Sequence, residues 1–87
     1  MRTNSLVIVG MVTYYRYSDG YLNIKIKNGV DCYCAKFRNY ISEDKIGDII
    51  KLITTEMIIF RGYLSDHNDG ERFTIYITSY KKYKNWR

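Results

Sequence analysis

Apolar positions along this chain recur with two different periods. Val7 to Thr13, Tyr21 to Lys27, Val30 to Arg38, Met57 to Leu64 and Arg72 to Tyr80 are runs that are continuously apolar or alternate residue by residue, as strands do. Between the third and fourth, Ile46, Ile49, Ile50 and Ile53 fall at i, i+3, i+4 and i+7. That spacing predicts one amphipathic helix over Ser42 to Ile53, with Ser42 as N-cap and Glu43 and Asp44 in its positive first turn. Gly47 weakens this helix by roughly 1 kcal/mol relative to alanine, so tertiary packing has to hold it.

The predicted order is β-β-β-α-β-β. It is the order of the OB-fold, an all-β, five-stranded barrel with the helix between strands three and four, a fold that commonly binds oligonucleotides. Gly10 interrupts the first apolar run, Leu6 to Val12, so that strand is either buried on both faces or bent enough to pair with two neighbours. Tyr14 to Gly20 reads as a loop ending in the turn pair Asp19-Gly20. Asn28-Gly29, between two alternating runs, predicts a two-residue hairpin turn that pairs Lys27 with Val30, Lys25 with Cys32, Asn23 with Cys34 and Tyr21 with Lys36. Leu22, Ile24, Ile26, Tyr33, Ala35 and Phe37 then share an apolar face. Tyr21, Asn23, Lys25, Lys27 and Lys36 share the other. In the last strand Phe73, Ile75 and Ile77 point inward, and Thr74, Tyr76, Thr78 and Tyr80 outward. Residues 1–80 form one domain on this reading, and 81–87 a basic, aromatic tail.

A chain of 87 residues buries only about 60% of the surface its unfolded form exposes, so most apolar positions are needed for a single core. No apolar run approaches the ~20 residues of a membrane span, and no signal-peptide pattern opens the chain, which predicts a soluble cytoplasmic protein without a membrane partner. Cys32 and Cys34 lie two apart on one strand, a spacing poor for a disulfide, and His67 is the only histidine. They are expected as reduced, half-buried thiols, with no metal and no cofactor. A Ser-His-acid or Cys-His arrangement would have to use His67 in a turn-rich loop, and the sequence has no phosphate-cradling glycine loop and no clustered carboxylate pair on a strand end, so an enzyme is not expected. The abundance of Ile, Lys, Tyr and Asn points to an AT-rich coding source, such as a low-GC bacterium or its mobile elements.

Charge divides the chain. Residues 1–41 hold six Lys/Arg and two Asp/Glu, residues 42–71 three and seven, and residues 72–87 five and none. One side is therefore cationic while the helix and its flanks are anionic, as suits a molecule that meets a polyanion. Single-strand binding needs cations for phosphates and flat rings on which bases stack. Tyr21, Lys25, Lys27, Lys36, Arg61, Tyr63 and Tyr76 supply both on strand faces. Tyr14, Tyr15, Arg16 and Tyr17 extend the surface through the first loop, and Lys81, Lys82 and Lys84 clamp phosphates from the tail.

Short motifs in the same order resemble the bacterial single-stranded DNA-binding protein family, including its small primosomal replication relatives. They are Val7-Ile8-Val9-Gly10-Met11-Val12, then Cys34-Ala35-Lys36-Phe37 before Ile41, then Ile59-Phe60-Arg61-Gly62-Tyr63-Leu64, and the long hairpin of Asp66 to Tyr80. The resemblance spans about residues 5–80. It implies single-stranded DNA binding without strong sequence preference, in replication or recombination, and homo-oligomers assembled through the first strand and sheet faces. RNA is the alternative ligand, since generic stacking does not separate ribose from deoxyribose. Two departures stand out: the family's acidic C-terminal tip is replaced by a basic tail, and its base-stacking tryptophans are missing from the barrel, Trp86 being terminal. The chain thus resembles the bare binding domain or the primosomal relative. Both departures also fit an accessory subunit that docks on a replication enzyme such as a primase, polymerase or helicase and completes a DNA groove only there.

Overall fold

A computed structural model describes residues 4–66 and 73–84. Five strands, β1 (Asn4–Ser18), β2 (Tyr21–Asn28), β3 (Asp31–Phe37), β4 (Ile58–Asp66) and β5 (Phe73–Lys82), close in the order β1-β2-β3-β5-β4, with helix α1 (Glu43–Thr55) between β3 and β4. This is the expected closed OB-fold barrel. His67, and any role for it, lies outside the described residues.

β1 makes the closure. Asn4 to Gly10 pair antiparallel with Leu64 to Ile58, and Met11 to Ser18 with Lys27 to Tyr21, so the partner changes immediately after Gly10. A Cβ on Gly10 would press on the Lys27 carbonyl and the Ile26 side chain, which is why glycine stands at this bend. Of the two readings of the Leu6 to Val12 run, the bent one holds: Ile8 and Val12 are buried, while Val7 and Met11 are exposed. The expected loop from Tyr14 is instead strand through Ser18, because the whole segment pairs with β2. The turn at Asp19-Gly20 stands, both residues having positive φ (55° and 86°).

The β2–β3 hairpin turns one residue later than the Asn28-Gly29 signal predicts. Asn28 pairs with Asp31, Lys27 with Cys32, Lys25 with Cys34 and Asn23 with Lys36, leaving Gly29 and Val30 as the turn. Only Gly29 takes positive φ (64°), the pattern of a turn with glycine in the first central position. Two contacts explain the shift. Ile26 now faces Tyr33 rather than Asp31, and the Asn28 side-chain amide donates to the Val9 carbonyl at 2.7 Å. The partner moves by two residues, which preserves the faces.

Two bulges change facing further along. In β1, Val12 pairs with Ile26 and Tyr14 with Lys25, leaving Thr13 unpaired. In β5, Ile77 pairs with Gly62 and Ser79 with Arg61, leaving Thr78 unpaired with its hydroxyl donating to the Arg61 carbonyl at 3.2 Å. Because of the second bulge Tyr80 does not point outward as strict alternation predicts. It packs on the core, edge-to-face with Phe37 at 5.6 Å between ring centroids.

Leu22, Ile24, Ile26, Ile53, Ile58, Phe60 and Ile77 are the largest fully buried side chains. Burying each contributes about 1.5–3 kcal/mol relative to leaving it in water. Ile53 is the helix's buried residue, and Ile46, Ile49 and Leu52 pack against the same core, supplying the tertiary support that Gly47 makes necessary. Ser42 occupies the N-cap, but its hydroxyl donates to the Asp44 carboxylate instead of accepting from the backbone. Its carbonyl accepts from the Lys45 and Ile46 amides. That hydroxyl is the main reason the Asp44 carboxyl sits below its ordinary pKa. No helix among the described residues is long and apolar enough to cross a membrane.

Glycine positions give substitutions of opposite sign. A Cβ on Gly62 would overlap the Tyr76 backbone carbonyl, which cannot move without breaking the β4–β5 ladder. Gly62→Ala should cost about 1–3 kcal/mol, the usual range for overpacking. A Cβ on Gly47 meets nothing within 4 Å, so Gly47→Ala should add up to about 1 kcal/mol. Thermal denaturation followed by circular dichroism measures both, at about 4–8 °C per kcal/mol for a domain this size.

Candidate nucleic-acid interface

Alternation puts every second residue of β2 and β3 outside the barrel, and the long-range pairing of β3 with β5 carries that outer face across two more strands. Parallel pairing sets Lys36 beside Tyr76, and antiparallel pairing sets Tyr76 beside Tyr63. On the other side Lys36 pairs with Asn23 and Asn23 with Arg16. One girdle therefore runs Arg16, Asn23, Lys36, Tyr76, Tyr63. A second, one step along the strands, runs Tyr14, Lys25, Cys34.

Two hollows join on this face. The first, of about 270 Å³, is lined by Tyr14, Asn23, Ile24, Lys25, Cys34, Ala35, Lys36 and Thr74. The second, of about 310 Å³, is lined by Tyr21, Asn23, Lys36, Phe37, Arg38 and Tyr76. Asn23 and Lys36 belong to both, so they form one groove. Among the described residues its walls hold Lys25, Lys36 and Arg38 and no carboxylate. Aromatic rings flank these cations. Lys25 Nζ lies 5.4 Å from the centroid of the Tyr14 ring, Tyr21 meets Tyr40 edge-on at 6.1 Å, and Tyr63 stacks on Tyr76 at 5.4 Å with 28° between the planes. Chemically the groove can neutralise phosphates and offer ring faces to bases.

The residues singled out from sequence separate into four groups. Tyr14, Tyr21, Lys25, Lys36 and Tyr76 line the groove, with Tyr63 stacked on its edge and Arg16 paired beside Asn23. Lys27 and Arg61 are exposed on the strands without lining it. Lys81, Lys82 and Lys84 line a different cleft with Ile59 and Tyr83. The segment read as a tail from Lys81 in fact begins inside β5, since Lys81 and Lys82 pair with Ile59 and Ile58.

Tyr15 and Tyr17 pair with Ile24 and Leu22 on the inward row of β2, away from the groove. Tyr17 packs against the core and its hydroxyl donates to the Ile41 carbonyl, which ties β1 to the approach to the helix. Burial, and then nearby Tyr40, Glu43 and Asp44, push the Tyr17 pKa up, so it keeps the donated proton throughout the neutral range.

Cys32 and Cys34 are exposed on the Lys25 face and not half-buried, because none of the described elements packs over the outer side of β3. Asn23, Cys34, Arg38, Tyr40 and Thr74 were missed as site residues. The first two share the hairpin face with Lys25 and were legible from alternation. Arg38 and Thr74 depend on β3 meeting β5, a contact without a local sequence signal.

The arrangement defines a class: an OB-fold barrel with a cationic, tyrosine-flanked groove across β1, β2, β3 and β5. No family model and no curated protein matches the chain. Solved structures do. Rim1, a mitochondrial single-stranded DNA binding protein from S. cerevisiae, superposes with a TM-score of 0.67 at 14% identity over 99% of each chain. A selenomethionine-labelled crystal of that protein gives 0.66 at 15%. OBody NL8, solved bound to hen egg-white lysozyme, gives 0.62 at 10% over 95% of this chain and 97% of its own. At these identities the likeness establishes the fold. The DNA-binding neighbours are mitochondrial, so they do not single out the bacterial family of the sequence resemblance.

Replacing Tyr17 by Phe removes its bond to Ile41 and should cost about 0.5–1.5 kcal/mol. Tyr14→Phe should be close to neutral, since the Tyr14 hydroxyl makes no hydrogen bond among the described residues. Denaturant titration of the two variants distinguishes a structural tyrosine from a surface one.

Proposed function

We propose that this protein binds single-stranded DNA without strong sequence preference, acting in replication or recombination as a binding protein and not as an enzyme. The observation that carries the reading is the groove: Lys25, Lys36 and Arg38 in its walls, tyrosine rings on either side, and no acid among the described lining residues. Cations there neutralise phosphates and release counterions, while Tyr14, Tyr21 and the Tyr63–Tyr76 pair receive unstacked bases at about 1–3 kcal/mol each. Rim1, whose fold this chain shares, is a single-stranded DNA binding protein, which supports the same ligand here. The reading does not require the bacterial branch of the resemblance, the cytoplasm or a particular assembly state.

A second reading has support of its own. Glu43, Asp44 and Asp48 are exposed on α1, and an OB-fold neighbour was solved with a protein bound. The chain would then dock on a primase, polymerase or helicase and complete its DNA groove in the complex. Negligible oligo-dT binding by the isolated chain, restored when such an enzyme is added, would favour this reading.

Titration against labelled oligo-dT at low salt tests the first. Three phosphate contacts should give a slope of log affinity on log salt near −2, at about −0.7 per contact for single strands. Exchanging Lys25, Lys27 and Lys36 for Glu should abolish binding, and unchanged affinity would refute the assigned face. Oligo-U run in parallel separates RNA from DNA. In a Cys32→Ser background, bound oligo-dT should also slow alkylation of Cys34, which lines the groove. An unchanged alkylation rate would place the strand elsewhere.

A further inference from the structure

A second cationic cleft lies away from the groove, at the far end of β5. Lys81, Lys82, Tyr83 and Lys84 line it with Ile59 around a volume of about 540 Å³. The backbone there is held to the barrel: Lys81 and Lys82 pair with β4, and the Tyr83 amide donates to the Met57 carbonyl at 2.8 Å. Lys82 reaches Glu56 at 3.9 Å, a pairing that Lys81 and Lys84 do not share among the described residues. Tyr83 leaves much of its ring in solvent.

The bulge at Thr78 links this cleft to the groove. Strict alternation from Tyr76 would turn Lys81 inward. With Thr78 unpaired, Ser79 lies opposite Arg61 and Lys81 opposite Ile59, on the outer face that carries Tyr76 and Tyr63. The exposed Arg61 sits between the stacked tyrosine pair and the cleft. Tyr76 and Lys81 are five residue steps apart on β5, about 16 Å at roughly 3.3 Å per residue.

We infer that a single DNA strand leaving the groove over the Tyr63–Tyr76 pair continues along β4 and β5, past Arg61, into the Lys81–Lys84 cleft as a second phosphate-binding subsite. This rests on the proposed single-strand binding and extends it to the path and length of the strand. Arg61 supplies a cation partway, and Tyr83 offers a ring at the end. Lys81 and Lys84 are the phosphate contacts, because Lys82 is already engaged with Glu56.

The test compares two lengths of oligo-dT, about 5 and about 15 nucleotides, within the site sizes of single OB folds. In Lys81→Glu/Lys84→Glu, with folding checked by circular dichroism, affinity for the longer strand should fall at least tenfold and its salt slope should shrink by about 1.4. The shorter strand, held in the groove, should bind as in the wild type. Lys25→Glu/Lys36→Glu should weaken both. Equal loss for both lengths in the Lys81/Lys84 variant, or no loss for either, overturns the continuous path. So does a stoichiometry of two short strands per chain with no gain in affinity for the longer one. If the wild type binds neither length, the proposed function itself fails, and that result is distinct from an intact groove with an idle cleft.

Discussion

The barrel depends on one strand serving two partners. β1 gives its first half to β4 and its second half to β2, and the exchange occurs at Gly10, where the chain bends against the Lys27 carbonyl. Without that bend, β1 would pair with one neighbour and the sheet would remain open, exposing unpaired backbone along its edges. With it, inward residues from all five strands converge. Leu22 and Ile26 from β2, Phe60 from β4 and Ile77 from β5 share one interior with Ile53 of the helix. The apolar stripe of α1 finds its place only because this closure gives it a surface to cover.

Closure also assembles the groove. A flat hairpin would display Tyr21, Asn23, Lys25 and Lys36, but Tyr76 comes beside Lys36, with Tyr63 stacked on it, only because β3 lies parallel to β5. The two bulges then adjust which side chains take part. Thr13 brings Tyr14 out beside Lys25, and Thr78 turns Tyr80 in against Phe37 while returning Lys81 to the outside. A single unpaired residue changes the facing of every residue after it, so bulges of this kind have large effects on a surface built by alternation.

Electrostatics follow the same division. Cations collect on the outer face of β2 and β3 and at the end of β5, whereas Glu43, Asp44 and Asp48 lie on the helix. A polyanion approaching the groove meets the cations Lys25, Lys36 and Arg38 and, among the described lining residues, no carboxylate, which favours encounter and orients it. The aromatic residues are divided by role as well. Tyr17 is held by Ile41 and belongs to the frame, while Tyr14 and Tyr21 remain at the surface.

Strand and helix identity, their order and the two faces of the β2–β3 hairpin were legible in the sequence, because alternation and the i, i+3, i+4 spacing are local patterns that burial on one side imposes. The hairpin faces survived even a misplaced turn, since the true register differs by two residues. Local pattern could not reveal the extension of β1 through Tyr14 to Ser18, the facing of Tyr80, or the joining of Lys36 to Tyr76. Each of these depends on which distant strand lies alongside and where one residue is left unpaired, and only the packed chain settles that. Charge and aromatic content thus named the ingredients of a binding surface. Tertiary pairing chose which of them stand together, because contacts between strands remote in sequence leave no periodic trace within either one.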